Sequence, residues 1–204
     1  MTVRISILVS GRGTNFQSIA DAIKSKKIEG AKIVCLISNK KDAGALLKAK
    51  NENIPGIFVN PDDYNSREEF DFEIMKILES YETDLVVLAG YLRIISDPLI
   101  EKYKNRIINI HPSLLPSFKG LNAQRQAIEY GSKISGCTVH FVEPSLDSGP
   151  IIIQRTVPVF SDDDENTLAE RILTEEHIAY PEAVRLFVEG KLKIDGRKVI
   201  IDEN

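Results

Sequence analysis

Cysteine is scarce: Cys35 and Cys137 are the only two in 204 residues, each in an apolar stretch and neither in C-x-x-C spacing. That excludes a disulfide framework and leaves buried, reduced thiols as the simplest state. Histidine is scarcer than most functions would want, with only His111, His140 and His177 present, and none stands at a metal-ligand spacing from another His or Cys. No metal site is expected. No run reaches the roughly 18 apolar residues of a membrane span. Met1 leads directly into Val3–Val9, too short a stretch for the three regions of a signal peptide, so cytoplasmic residence is expected. Charge of one sign is lacking too: 26 Lys and Arg face 30 Asp and Glu, a net −4. Without a positive field the chain is not expected to gather nucleic acid, and the lysines at 24–27 fit a solvated helix end. There is no Gly-x-Ser-x-Gly elbow and neither cysteine adjoins a histidine, so covalent acyl transfer has no clear nucleophile.

Strand-like and helical patterns alternate. Val3–Val9, Lys32–Ile37, Gly56–Val59, Asp84–Ala89 and Ile107–Ile110 read as strands, with helices over about 15–26, 43–51 and 66–81 between them. This βαβ rhythm implies a parallel sheet between helices, and the nearly all-apolar Asp84–Ala89 suits a strand covered on both faces. After Pro116 follow a helix over 123–130, strands Gly136–Val142 and Ile151–Val157, and a long helix over 165–189 that Pro181 is expected to kink or divide. Leu192–Ile201 reads as a hairpin turned on Asp195-Gly196. The expected fold is α/β: a single domain over 1–204 with a Rossmann-like, mostly parallel sheet flanked by helices and antiparallel C-terminal additions.

Three loops can carry chemistry. Val9-Ser10-Gly11-Arg12-Gly13-Thr14-Asn15 joins the first strand to the first helix, where backbone N–H groups and the helix dipole favour a phosphate. It is neither a Walker loop nor the full dinucleotide fingerprint, since Phe16 takes the third glycine position; it fits a phosphorylated sugar, or a plain tight turn. Asn109 and His111 stand two apart at the end of Arg106–His111, so they share one strand face where Pro112 stops the strand. The pair offers a carboxamide and an imidazole that titrates near neutrality, although a histidine at a strand stop beside a turn asparagine fits the same letters. Noncovalent acid–base chemistry by His111 needs a carboxylate, for which Asp147 in the turn-rich 143–150 segment is the best candidate. His140 and His177 read as a satisfied strand residue and a surface helix residue.

Together, Ser10–Asn15, Leu88–Ile94, Asn109–Pro116 and Leu146–Pro150 resemble the phosphoribosylglycinamide formyltransferases, a folate-dependent family of purine synthesis, and the four blocks occur in that family's order. The resemblance implies that residues 1–100 form a phosphate-binding half and 101–204 a folate-binding and catalytic half. It assigns glycinamide ribonucleotide to Gly13, Thr14, Asn15, Leu173, Thr174, Glu175 and Glu176. It assigns 10-formyltetrahydrofolate to Arg67, Leu92, Arg93, Ile94, Ile95, Asn109, Glu143, Pro144, Ser145, Leu146 and Asp147. Asn109, His111 and Asp147 would be the catalytic group, acting by direct attack of the glycyl amine on the formyl carbon without a metal. The implied partners are small molecules, with no nucleic acid or membrane, on a monomer or homodimer. Two departures stand out: Asn122 where the family often has histidine, and Phe118-Lys119 in place of an aromatic-Pro pair. Leu173, often polar in relatives, would act only through its backbone. Relatives acting on tRNA carry an added C-terminal domain, and formyltetrahydrofolate hydrolases a leading regulatory one. A first strand at Val3 and an acidic C-terminal end therefore favour transfer to a small amine.

Overall fold

The computed structural model describes residues 2–202, and the chain divides into two compact units, Met1–Asn109 and Ile110–Asn204. The division falls inside a strand, nine residues beyond the position at which the sequence halves were drawn.

The first unit holds β1 (Val3–Val9), β2 (Ala31–Ser38), β3 (Gly56–Phe58), β4 (Leu85–Leu88) and the start of β5 (Ile107–His111). They run parallel in the order β3-β2-β1-β4-β5. Every residue of β4 is buried, as a central parallel strand requires. Ile5, Ile7, Leu8 and Val9 of β1 are equally enclosed, each removal from water contributing about 1.5–3 kcal/mol. The crossovers are α1 (Thr14–Lys24), α2 (Gly44–Asn51), α3 (Arg67–Ser80) and α4 (Asp97–Lys102). Helix α1 turns Phe16, Ile19 and Ala20 inward at helical spacing and stops two residues short of the expected end, where Lys26 adopts a left-handed backbone (φ 59°). Ser66 caps α3 by accepting the Glu69 N–H at 3.1 Å. Helix α4 and a 3₁₀ turn at Pro61–Asp63 have no counterpart in the sequence reading. At six residues α4 is too short for apolar periodicity, though Ser96-Asp97-Pro98 carries a cap residue, an acidic first turn and an early proline.

The second unit contains α5 (Ala123–Tyr130), β6 (Ile134–Phe141), β7 (Ile151–Pro158), α6 (Glu165–Val188), β8 (Leu192–Asp195) and β9 (Lys198–Ile201). Its strands lie in the order β6-β7-β9-β8, with β6/β7 and β8/β9 antiparallel. The β8/β9 hairpin turns where expected, with Gly196 at φ 57°. Pro181 does not divide the long helix. Helix α6 runs unbroken through it: the missing N–H costs a backbone bond, while the buried Ala179, Tyr180, Ala183 and Val184 around it hold the helix in place. At its start Asp164 accepts the N–H groups of Asn166 and Thr167, each at 2.8 Å, and Thr167 Oγ1 returns a bond to the Asp164 N–H at 3.0 Å. That reciprocal cap fixes where α6 begins. Asp164→Ala should cost about 1–2 kcal/mol, read as a lowered urea midpoint with an unchanged m-value; an unchanged midpoint would remove the cap from the account.

Candidate active site

In the first unit the β1–α1 turn is shaped by its glycines. Gly13 caps α1 at φ 69°, and a Cβ there would stand 2.6 Å from the Ala45 Cβ, so only glycine fits. The cap offers no side-chain bond to the first helical N–H groups, which leaves the start of α1, at Thr14 and Asn15, suited to an anion. Ser10 fastens the turn to its neighbours: its hydroxyl donates to Asn39 Oδ1 at 2.6 Å and accepts the Leu92 N–H at 2.8 Å. The 91–96 segment thereby hangs from the same turn. Leu92 and Ile94 are largely exposed, whereas Ile95 is buried and can meet a ligand only through its backbone. Arg93 stacks over Phe70 at 4.5 Å. Asp71 accepts the Ser96 N–H at 2.6 Å, and burial pushes its carboxyl above the usual range. Arg67 opens α3, paired with Glu68 at 3.1 Å. Asn109, half-buried, faces Leu88 in the β4/β5 ladder.

In the second unit β5 ends at His111, where the proline rule places the stop. His111 is buried, and its Nε2 lies 2.8 Å from the Phe118 carbonyl oxygen. A carbonyl can only accept, so Nε2 carries the hydrogen. Nδ1 is then the nitrogen that gains or loses a proton, and it faces Asp147 Oδ2 at 3.4 Å. The same Oδ2 accepts the Gly120 N–H at 2.8 Å. Asp147 Oδ1 lies 3.8 Å from Nε2 of His140, whose Nδ1 is directed at the Phe141 carbonyl at 2.8 Å. One carboxylate thus stands between two imidazoles. Burial drives His140 toward its neutral form, below the ordinary histidine value.

The backbone has to bend to make this cluster. Phe118, Gly120, Asn122 and Asp147 all take positive φ, at 52°, 78°, 57° and 45°. Asn122, at the head of α5, is one of the few residue types that accept the left-handed region readily. Ser113, Ser117 and Thr138 pin the intervening loop: Ser113 Oγ donates to the Ser117 carbonyl at 2.6 Å, and Thr138 Oγ1 donates to the Ser113 carbonyl at 2.7 Å. On the other side, a Cβ on Gly149 would stand 1.8 Å from the Phe141 oxygen, so glycine is required for the 143–149 loop to lie against β6. Glu143, Pro144, Ser145 and Leu146 are exposed along that loop. On α6, Leu173, Thr174, Glu175 and Glu176 follow one another; Glu175 pairs with Arg155 at 3.6 Å, Thr174 donates back to the Glu170 carbonyl, and Glu176 is buried. Among the described residues, no group of three His, Cys, Asp or Glu is arranged to hold a metal ion.

The model of the formyl transferase family matches residues 3–184. The chain belongs to the formyl transferase family. Phosphoribosylglycinamide formyltransferase of Escherichia coli is 41% identical over 200 residues, 98% of this chain and 94% of that protein. The crystal structure of glycinamide ribonucleotide transformylase 1 from Symbiobacterium toebii superposes with a TM-score of 0.96 at 48% identity, covering 98% of this chain and 94% of that one. Trifunctional purine biosynthetic protein adenosine-3 of Drosophila melanogaster is 43% identical over 92% of this chain, which spans only 14% of that protein's length. The formyl transferase fold is the one described above: α/β, with a mostly parallel sheet and antiparallel C-terminal strands.

The sequence reading named His111 and Asp147 but not what surrounds them. His140, the Gly120 N–H and the Phe118 carbonyl were missed. His140 had a signal in retrospect, since a histidine near the end of β6 faces the loop that immediately follows it; a backbone carbonyl has none. Gly149→Ala should displace the Asp147 loop, lowering stability by about 1–3 kcal/mol and formyl-transfer kcat/KM with it. A variant with native melting and turnover would refute the close packing of Gly149 on Phe141.

Proposed function

We infer that this formyl transferase moves a formyl group from 10-formyltetrahydrofolate to the glycyl amine of N1-(5-phosphoribosyl)glycinamide, a step of purine synthesis. The observation that carries the reading is the buried His111–Asp147 pair at 3.4 Å, with Nε2 anchored and Nδ1 left to change its proton. The small-molecule substrates fit the family, and the two buried free thiols, Cys35 and Cys137, suit a reducing compartment such as the cytoplasm.

The donor supplies an activated formyl carbon, and this chain supplies residues that fit it. In the first unit exposed Leu92 and Ile94 offer apolar faces for a flat ring system, and Arg67 and Arg93 offer cations for a carboxylate tail; in the second unit Leu146 is likewise exposed. Gly13, Thr14 and Asn15 hold the ribonucleotide phosphate at the start of α1. Thr174, Glu175 and Glu176, with the Leu173 backbone, serve the same substrate, Glu175 being partly committed to Arg155.

When the amine attacks, negative charge develops on the formyl oxygen. Asn109, through its amide hydrogens, gives that oxygen a donor, and the protonated His111 ring, sharing Nδ1–H between Asp147 and the oxygen, sets positive charge beside it. Asp147 holds the positive ring in place, and the Phe118 carbonyl keeps it from rotating. The proton shed by the amine must reach the departing folate nitrogen, a transfer that a water beside Asp147 can carry. Asn109 and His111 act on charge that develops only as the amine attacks, where such contacts count most.

Purified protein should form formylated ribonucleotide from the two substrates and release no formate from the folate alone. Folded protein that binds both ligands without transfer would overturn the reading. His111→Ala and Asp147→Asn should each lower kcat/KM by about a hundredfold or more, and near-normal turnover in either would contradict its role. Thr14→Ala should weaken the ribonucleotide more than the folate by titration calorimetry; equal losses would argue against the phosphate cradle.

A further inference from the structure

We propose that His140 is a positioning residue for formyl transfer: its protonation state decides how Asp147 divides its carboxylate between His140 and His111. The proposal rests on the formyl-transfer reading, but its deciding measurement reads ring titrations and needs no turnover.

Both histidines and the carboxylate are screened from water, with side-chain exposures of 6% for His111, 8% for Asp147 and 3% for His140. Interactions among them are therefore weakly damped by solvent. The two carboxylate oxygens have different company. Oδ2 receives the Gly120 N–H and faces His111 Nδ1, while Oδ1 faces His140 Nε2. Because His140 Nδ1 gives its hydrogen to the Phe141 carbonyl, Nε2 is the nitrogen whose proton comes and goes. In the neutral ring Nε2 presents a lone pair to Oδ1 and offers it no hydrogen. Asp147 then directs its charge to His111. Once protonated, Nε2–H sets a positive charge 3.8 Å from Oδ1, and a second positive ring stands beside the same carboxylate.

The environment sets which form prevails. Burial disfavours charge on His140, the Phe141 carbonyl and Asp147 favour it, and His111 and Lys119 oppose it. On the neighbouring elements, Glu176 of α6 acts on Cys137, and Arg155 of β7 is held by Glu182 and Glu175. The ring is neutral near pH 7, and acidification brings a proton to Nε2 at His111's expense. Asp147 sits at φ 45° in a loop that packs against Phe141 through Gly149, which places its carboxylate between the two rings. A charge gained on either ring therefore acts on the carboxylate that the other ring also faces.

The test is a ring-nitrogen NMR titration of wild type, His140→Asn and Asp147→Asn, each first checked for native circular dichroism and melting. The His111 curve should show a minor second inflection coincident with the His140 midpoint, absent in His140→Asn. The acid limb of kcat/KM should lose one ionisation in that variant. In Asp147→Asn the His140 midpoint should fall further, by about half a pH unit or more. Superimposable His111 curves in wild type and His140→Asn would overturn the proposal. So would a His140 midpoint unmoved by Asp147→Asn, the arm that decides if His140→Asn does not fold.

Discussion

A carboxylate taken out of water must be given hydrogens and a nearby positive charge, and much of the second unit is arranged to do this for Asp147. Its side chain is 8% exposed, a position in which an isolated ionised group would cost several kcal/mol. The Gly120 N–H and the ring of His111 meet one oxygen, and His140 stands by the other. Each contact demands something of the backbone. Gly120 reaches Asp147 through a loop with left-handed residues at 118, 120 and 122, and Asp147 reaches β6 because Gly149 has no side chain. The strain of those conformations, of order 1 kcal/mol or more at a bulky residue such as Phe118, is offset by what the loop delivers: one carbonyl that fixes His111 and one N–H that holds Asp147.

The chemistry follows from that arrangement. A neutral imidazole can donate from only one nitrogen, and the Phe118 carbonyl claims Nε2. Whatever His111 does for a substrate it must do through Nδ1, and Nδ1 has a hydrogen to give only when the ring is charged. An ionised Asp147 at 3.4 Å is the group that would favour a charged ring at this buried position. On the proposed function, acid–base work by His111 leans on that carboxylate. On the proposed function the remaining candidate residues are handles, for a phosphate at the start of α1 and for a folate along exposed apolar side chains, and binding energy at such handles can be used for orientation.

Much of the scaffold was legible in the letters. Period-two and all-apolar runs located the strands, and Pro112 marked the end of β5. The N-x-H spacing and an acidic residue in a turn-rich loop pointed to His111 and Asp147 as candidates, and the structure places the two side chains 3.4 Å apart. What escaped had no side-chain signature. The Phe118 carbonyl and the Gly120 N–H are backbone groups, aimed by dihedral angles that composition does not encode. His140 looks like any polar residue in a strand until the loop after β6 folds back over it. Helix α4 is shorter than the window in which periodicity can be seen. Pro181 does not divide α6, because one lost backbone bond is outweighed by tertiary packing along the helix. Asn122, a departure from the family pattern, suits the left-handed backbone at the head of α5.

The central claim is that His111 and Asp147 act as one unit, which a double-mutant cycle on kcat/KM for formyl transfer measures directly. If Asp147 works by sustaining the charged ring, then once His111 is alanine the further change of Asp147 to asparagine should cost little, and the double variant should be about as slow as the worse single one. If the two losses instead multiply, the residues act independently and the account of Asp147 as the support of His111 is wrong.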